Sequence, residues 1–278
     1  MKLHVLCDNF ASGRGVLAEH GLSLLLEHDG SKIVFDAGQS DIFVRNSVFM
    51  GLDLASVNAM VISHGHYDHT GGIAKFCGAN SKASIYLQQG CLQKRYRPAK
   101  NAANGMVDIG IADNANFKDD IRLRFHYTDV PIRIADGVTL SGKVPRQYNI
   151  EADPGDFFIA GEDGLFLPDM FEDEQFMAIE GKSGIFVFIG CAHAGVMNCI
   201  EYAKCLFPGK KIAGVVAGMH MKSMLQQRYE VTMEYLRHLS PDVIIPLHCT
   251  GIVAMAELKN YFGDRCRLCG AGDSLELE

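Results

Sequence analysis

SHGHYDHTGG, Ser63 to Gly72, follows the apolar run Ala59–Ile62 and packs three imidazoles and a carboxylate into His64-Gly65-His66-Tyr67-Asp68-His69. His64 and His66 stand two apart, so on extended backbone both rings project to one side and can grip one metal ion. Asp68 and His69 follow as the chain turns, and Thr70-Gly71-Gly72 favours a tight bend and a helix start. That arrangement can supply a second metal about 3.5–4 Å from the first, the separation of two-metal sites. Without a metal, four ligand-type side chains ending an apolar strand would be costly to desolvate.

The same construction recurs along the chain. IFVFIGCA runs into His193, GVVAGM into His220 and VIIPL into His248, so six of the 11 histidines fall at or just after four strand ends. Open sheets place functional groups beyond their strand ends, and four such ends can converge in one cleft. The remaining histidines, among them His20, His28, His126 and His238, scatter as chance would scatter them. Further apolar runs, LSLLLEH, KIVFDAG, ASIYLQ, GVTLSG, DFFIAG and GLFLP, also read as strands. GVMNCIEYAKCLF and QQRYEVTMEYLRHL read as helices, the second with a core face of Tyr229, Met233, Leu236 and Leu239. Strands interleaved with helices indicate an α/β protein. A single domain over 1–278 is expected, with the irregular stretch of about 90–149 as an insertion or lid.

Composition narrows the function. A formal charge of −7 and pI near 5.9 argue against binding nucleic acid through phosphate neutralisation. No run reaches the roughly 20 apolar residues of a membrane helix, and MKLHVLCDNF does not read as an export signal. Nine cysteines without framework spacing favour a reducing cytoplasm, and the lone Cys266-x-x-Cys269 reads as two free thiols. A small molecule is the expected partner.

HxHxDH after an apolar strand resembles the metallo-β-lactamase fold superfamily, and the likeness extends along most of the chain. KIVFDAG is similar to the first motif, GCAHAG to the third and PLHCTG to the last. LCDNFA, AEHGLSLLLE, FDAGQS, FEDEQFMAI, GCAHAGVMN, GMH and PLHCTG resemble one branch of metal-dependent hydrolases. That branch often carries the name 7,8-dihydropterin-6-yl-methyl-4-(β-D-ribofuranosyl)aminobenzene 5′-phosphate synthase. The resemblance implies a four-layer αββα sandwich of two mixed sheets flanked by helices, with a dimetal cleft at one edge. It assigns His64, His66 and His193 to the first metal, Asp68, His69 and His248 to the second, and Asp36 to bracing the loop. Zinc suits these imidazoles, and manganese or iron are alternatives.

The chain departs from the wider pattern at one point. His220 lies 27 residues after His193 and 28 before His248, in the slot where most superfamily members carry a metal-bridging aspartate. Imidazole bridges metals poorly, so three roles stay open for His220: terminal ligand, proton donor or structural side chain. Asp169 and Asp242 are the other acids near strand ends. Cys191 and Cys249, neighbours of motif histidines, are expected to point away from the metals as buried small side chains. Asp8, Asn9, Glu19 and His20 are read as lining or bracing the pocket. Lys94, Arg95, Arg97 and Lys100 form a basic run that is either a reader of substrate phosphate or carboxylate or a solvated loop.

The leading expectation is a hydrolase that turns a metal-activated water on a small ester or phosphoester, anionic in character. Asp68 would orient the water and take its proton, and His220 would protonate the leaving group. The alternative is a synthase moving a phosphoribosyl group from phosphoribosyl pyrophosphate to an aminobenzoate. A di-iron oxidoreductase fits less well, because His66 fills a position that is glutamate there. A metal sensor without catalysis is the non-enzymatic reading.

Overall fold

The computed structural model describes residues 1–102, 105–111, 117–151, 155–161, 165–222 and 224–277. Two large sheets lie face to face. The first has seven strands in the order Ser274–Glu276, Lys2–Cys7, Ser23–His28, Ser31–Phe35, Ala59–Val61, Ser84–Leu87 and Phe125–Tyr127. Its hairpin Ser23–His28/Ser31–Phe35 closes on Asp29-Gly30, both at positive φ, the conformation a tight hairpin turn requires. The second has six strands in the order Val243–Leu247, Ile212–Gly218, Ile185–Ile189, Met177–Glu180, Val138–Leu140 and Ile132–Ala135.

Three apolar clusters fill the three gaps between four layers. Leu24, Phe35, Phe186, Phe188, Val216 and Ile245 pack where the sheets meet. Phe43, Met60, Phe76 and Ile85 join the first sheet to the helices Ile42–Phe49 and Ile73–Ala79. Val187, Val215, Ile200, Leu236 and Leu258 join the second sheet to Val196–Leu206, Gln226–Leu239 and Ile252–Phe262. The fold is therefore a four-layer αββα sandwich. Val196, Cys199, Ile200 and Ala203 recur at helical spacing on the buried face of Val196–Leu206, which explains why that segment coils and docks.

Three parallel strands, Ile185–Ile189, Ile212–Gly218 and Val243–Leu247, are buried along their whole length, as strands covered on both faces must be. Their register aligns Ile189 with Ala217 and Ala217 with Pro246. The chain therefore leaves all three strands at one edge, and His193, His220 and His248 emerge side by side. Phe35 and Val61 are partners in the first sheet, so Asp36 and the Ser63–His69 loop leave at the facing edge. Gly190 keeps the two edges in contact: a Cβ there would stand 2.1 Å from Ser63 Oγ.

The described residues of 90–149 are shared among three sheets. Phe125–Tyr127 pairs in the first sheet, and Ile132–Ala135 and Val138–Leu140 pair in the second. Arg95–Pro98 and Met106–Asp108 form a small third sheet with Phe158–Ala160 and Phe166–Pro168. No helix among the described residues is long and apolar enough to cross a membrane.

Candidate metal centre

Asp36 organises the loop that follows Ala59–Val61. It is fully buried, sits at φ 60°, and accepts from the Ser63 N–H and the Ser63 hydroxyl, both at 2.7 Å. The same carboxylate lies 2.6 Å from His69 Nδ1. Ser63 Oγ in turn stands 2.9 Å from His64 Nδ1. One acid thus engages the rear nitrogen of His69 directly and that of His64 through Ser63, and leaves their Nε2 atoms facing the cleft, the usual outer support of a metal-ligating histidine.

His64, His66 and His193 form the first donor group, with their donor atoms within 4.8 Å of one another. His64 Nε2 and His66 Nδ1 are 3.1 Å apart. Two nitrogens at about 2.0–2.1 Å from one tetrahedral zinc would be about 3.3 Å apart, so the spacing suits a shared ion. Burial, reinforced by the neighbouring imidazoles, holds all three rings well below the ordinary histidine range and therefore neutral, the form that ligates. His66 Nε2, His193 Nε2, His220 Nδ1 and His248 Nε2 are buried with no hydrogen-bond partner. Such orphaned atoms are expensive unless something absent from the chain satisfies them. These residues fit a bound divalent ion.

Asp68 centres the second group. Its Oδ2 lies 3.1 Å from His20 Nε2, 3.3 Å from His248 Nε2 and 4.0 Å from His69 Nε2. The His248 approach is close without being a hydrogen bond. Burial pushes the Asp68 carboxyl up, but the charge of His69 and the contacts with His20 and His248 outweigh it and hold the group well below the usual carboxylate range. His248 is oriented from behind: its Nδ1 lies 2.9 Å from Asn9 Oδ1, and its N–H donates to Asp8 Oδ1 at 2.8 Å. Burial opposes a charged His69, yet Asp36 and Asp68 raise its pKa to about 9. Two buried carboxylates thus flank the ring, and a metal cation beside it can supply the positive charge they call for.

His20, read as lining or bracing the pocket, reaches the site from an exposed loop and tilts against the His248 ring at 4.9 Å. The structure departs from the sequence reading at two cysteines. Cys191 does not turn away: its Sγ lies 3.1 Å from His69 Nε2 and groups with His64 and His69. It precedes His193 by two residues, not one, and Ala192 between them takes φ 54°, so strand alternation does not send it to the far side. Cys249 also faces inward and groups with Cys191 and His220.

His220, at the end of Ile212–Gly218, lies 4.6 Å ring to ring from His193. Phe157 covers the centre from the small sheet, 5.2 Å from the His66 ring and 5.7 Å from that of His220. Phe171 stacks flat on His193 at 4.0 Å. Asp36, Phe171, Ala192, His220 and His248 all hold left-handed φ, which costs on the order of 1–3 kcal/mol for a non-glycine residue and clusters where geometry is functional.

The basic run divides. Lys94, Arg97 and Lys100 are exposed. Arg95 is not available to a substrate, being 1% exposed, with Nε 2.7 Å from Asp169 Oδ2. Its Nη2 lies 2.6 Å from Asp173 Oδ1, close as an ion pair though not aligned as a hydrogen bond. Asp173 also accepts from the Gly65 N–H at 2.8 Å, so this pair props the metal-facing loop from beneath. Gly65 is required there, because a Cβ would stand 2.3 Å from Arg95 Nη1. Asp169 is thereby committed to Arg95 rather than to the histidines. Arg95→Ala would strand two buried carboxylates, and urea titration is expected to show a loss of about 3–5 kcal/mol.

A sandwich of this layering, with histidines and an aspartate gathered at one edge of its paired sheets, is the architecture of metal-dependent hydrolases. A sequence model of the metallo-β-lactamase superfamily matches residues 17–209, and the chain belongs to that superfamily. It is 30% identical over 260 residues to the uncharacterized protein MJ0448 of Methanocaldococcus jannaschii, spanning 92% of this chain and 93% of that one. It is 25% identical over 278 residues to the 7,8-dihydropterin-6-methyl-4-(β-D-ribofuranosyl)-aminobenzene-5′-phosphate synthase of the same organism, spanning 94% and 93%. Among solved structures it resembles Tm1679, described as a metal-dependent hydrolase of the β-lactamase superfamily. The TM-score is 0.81 at 29% identity, over 99% of this chain and 98% of that one.

Proposed function

We propose that the protein hydrolyses a small, anionic ester or phosphoester with two divalent ions, zinc by preference, held at the histidine cluster. The observation that carries this reading is the buried cluster in which His64 Nε2 and His66 Nδ1 lie 3.1 Å apart and the Nε2 atoms of His193 and His248 have no hydrogen-bond partner. His64, His66 and His193 would hold one ion; Asp68, His69 and His248, joined by His20, would hold the other. When bound, the ions supply Lewis acidity that acidifies water and stabilises charge developing on the substrate.

The remaining work falls to the chain. Asp68, kept ionised, accepts the proton of the attacking water and orients it. His220, whose buried Nδ1 has no hydrogen-bond partner, donates a proton from that nitrogen to the leaving oxygen. Phe157 and Phe171 exclude bulk water from the face of His66 and His193, which strengthens every electrostatic contact inside. His220→Ala is expected to lower kcat by about 100-fold while at least one ion stays bound. Unchanged turnover would remove His220 from the reaction.

The synthase reading draws support from the 25% identity to the methanogen enzyme, whose chain is matched almost end to end. The test is direct. Metal-loaded protein is assayed on nitrophenyl phosphate, phosphodiester and carboxylic ester substrates, and separately with phosphoribosyl pyrophosphate plus 4-aminobenzoate. Metal-dependent hydrolysis supports the proposal. Pyrophosphate release requiring both latter substrates, with no hydrolysis, replaces it by the synthase.

A further inference from the structure

Among the described residues the donor groups hold one carboxylate, Asp68, which sits with His20 and His248 and not with His64, His66 and His193. A neutral imidazole offers one lone pair on one nitrogen and cannot serve two metals at once. A thiolate sulfur has several lone pairs and can, and it suits zinc among divalent ions. The strand next to Ile212–Gly218 carries such a group. Cys191, just past Ile185–Ile189, places Sγ within 4.8 Å of the donor atoms of both His64 and His69. His64 belongs to the first donor group, and His69 lies beside Asp68 of the second. The two rings stand 4.2 Å apart, with Cys191 Sγ 3.1 Å from His69 Nε2. On its other side Cys191 meets His220 and Cys249, whose donor atoms also lie within 4.8 Å of it.

We infer that Cys191 is a metal ligand, its thiolate standing between the two donor groups. Coordination forms a sulfur–metal bond and releases the thiol proton to solvent, with no change of oxidation state. The inference rests on the metal centre proposed above but not on the reaction proposed for it.

The test reads the metal's surroundings. Zinc-loaded protein is examined by X-ray absorption, where sulfur at about 2.3 Å is expected alongside nitrogen and oxygen. Cobalt-substituted protein is expected to show a thiolate-to-cobalt charge-transfer band that survives in Cys249→Ser and disappears in Cys191→Ser. A zinc shell without sulfur overturns the inference, as does a band that is lost in Cys249→Ser but kept in Cys191→Ser. If Cys191→Ser fails to fold, the wild-type absorption spectrum and the Cys249→Ser band still decide. A sulfur-ligated centre with no hydrolysis would leave Cys191 in place and remove only the hydrolase reading.

Discussion

His66→Ala is expected to abolish hydrolysis, cutting kcat/KM by about 1,000-fold or more, and to strip the ion held with His64 and His193. Loss of a partner outside the ligand shell commonly costs 10–100-fold in metal affinity or activity, and direct removal of one of three imidazoles exceeds that. The substitution is structurally mild. His66 Nε2 makes no hydrogen bond, its Nδ1 meets only His64 Nε2 at 3.1 Å, and the ring's packing partners are Phe157, Phe171 and the neighbouring histidines. Its Cα lies at the entry to the short helix Tyr67–Thr70, whose backbone bonds do not depend on the side chain. The variant should therefore fold, so that initial rates and metal content report on the site rather than on unfolding. Turnover within tenfold of wild type would mean that this imidazole does not hold the working metal.

Asp68→Asn should reduce kcat by about 100- to 10,000-fold, the range for removing a general base. Asparagine keeps the shape and removes the charge. Among the described residues Asp68 is the one carboxylate in the donor groups, facing His20 at 3.1 Å and His248 at 3.3 Å. Its loss should release the second ion while the His64–His66–His193 ion remains, the complement of His66→Ala. Measured together, the pair separates the two positions. An Asp68→Asn protein that keeps both ions and full turnover would place neither charge balance nor proton transfer on this residue.

The strand-end histidines were legible because an apolar run ending in imidazole is a strong local pattern, and parallel pairing carries it into space without further information. What escaped local reading depends on partners distant in the chain. His20 lies on an exposed loop with no apolar strand before it, so only the family resemblance, and no local pattern, placed it at the pocket where it meets Asp68. Arg95 looked like a surface charge because Asp169 and Asp173 stand far along the sequence. The inward thiol of Cys191 depends on the left-handed turn at Ala192, which no residue type there announces. The helix Ile42–Phe49 inverts the usual pattern: Asn46 is buried while Val48 and Phe49 are exposed. Asn46 goes inside because its side chain donates to the Leu6 and Leu17 carbonyls and accepts from the Leu17 N–H, a bracing function that hydrophobic periodicity does not encode.

A two-ion centre built from these side chains is tested most directly by elemental analysis of protein purified without chelator, with zinc, manganese and iron counted per folded chain. The expected result is about two divalent ions, mainly zinc, falling to about one in Asp68→Asn. A correctly folded chain that holds less than one ion, even after incubation with excess zinc, would contradict the account.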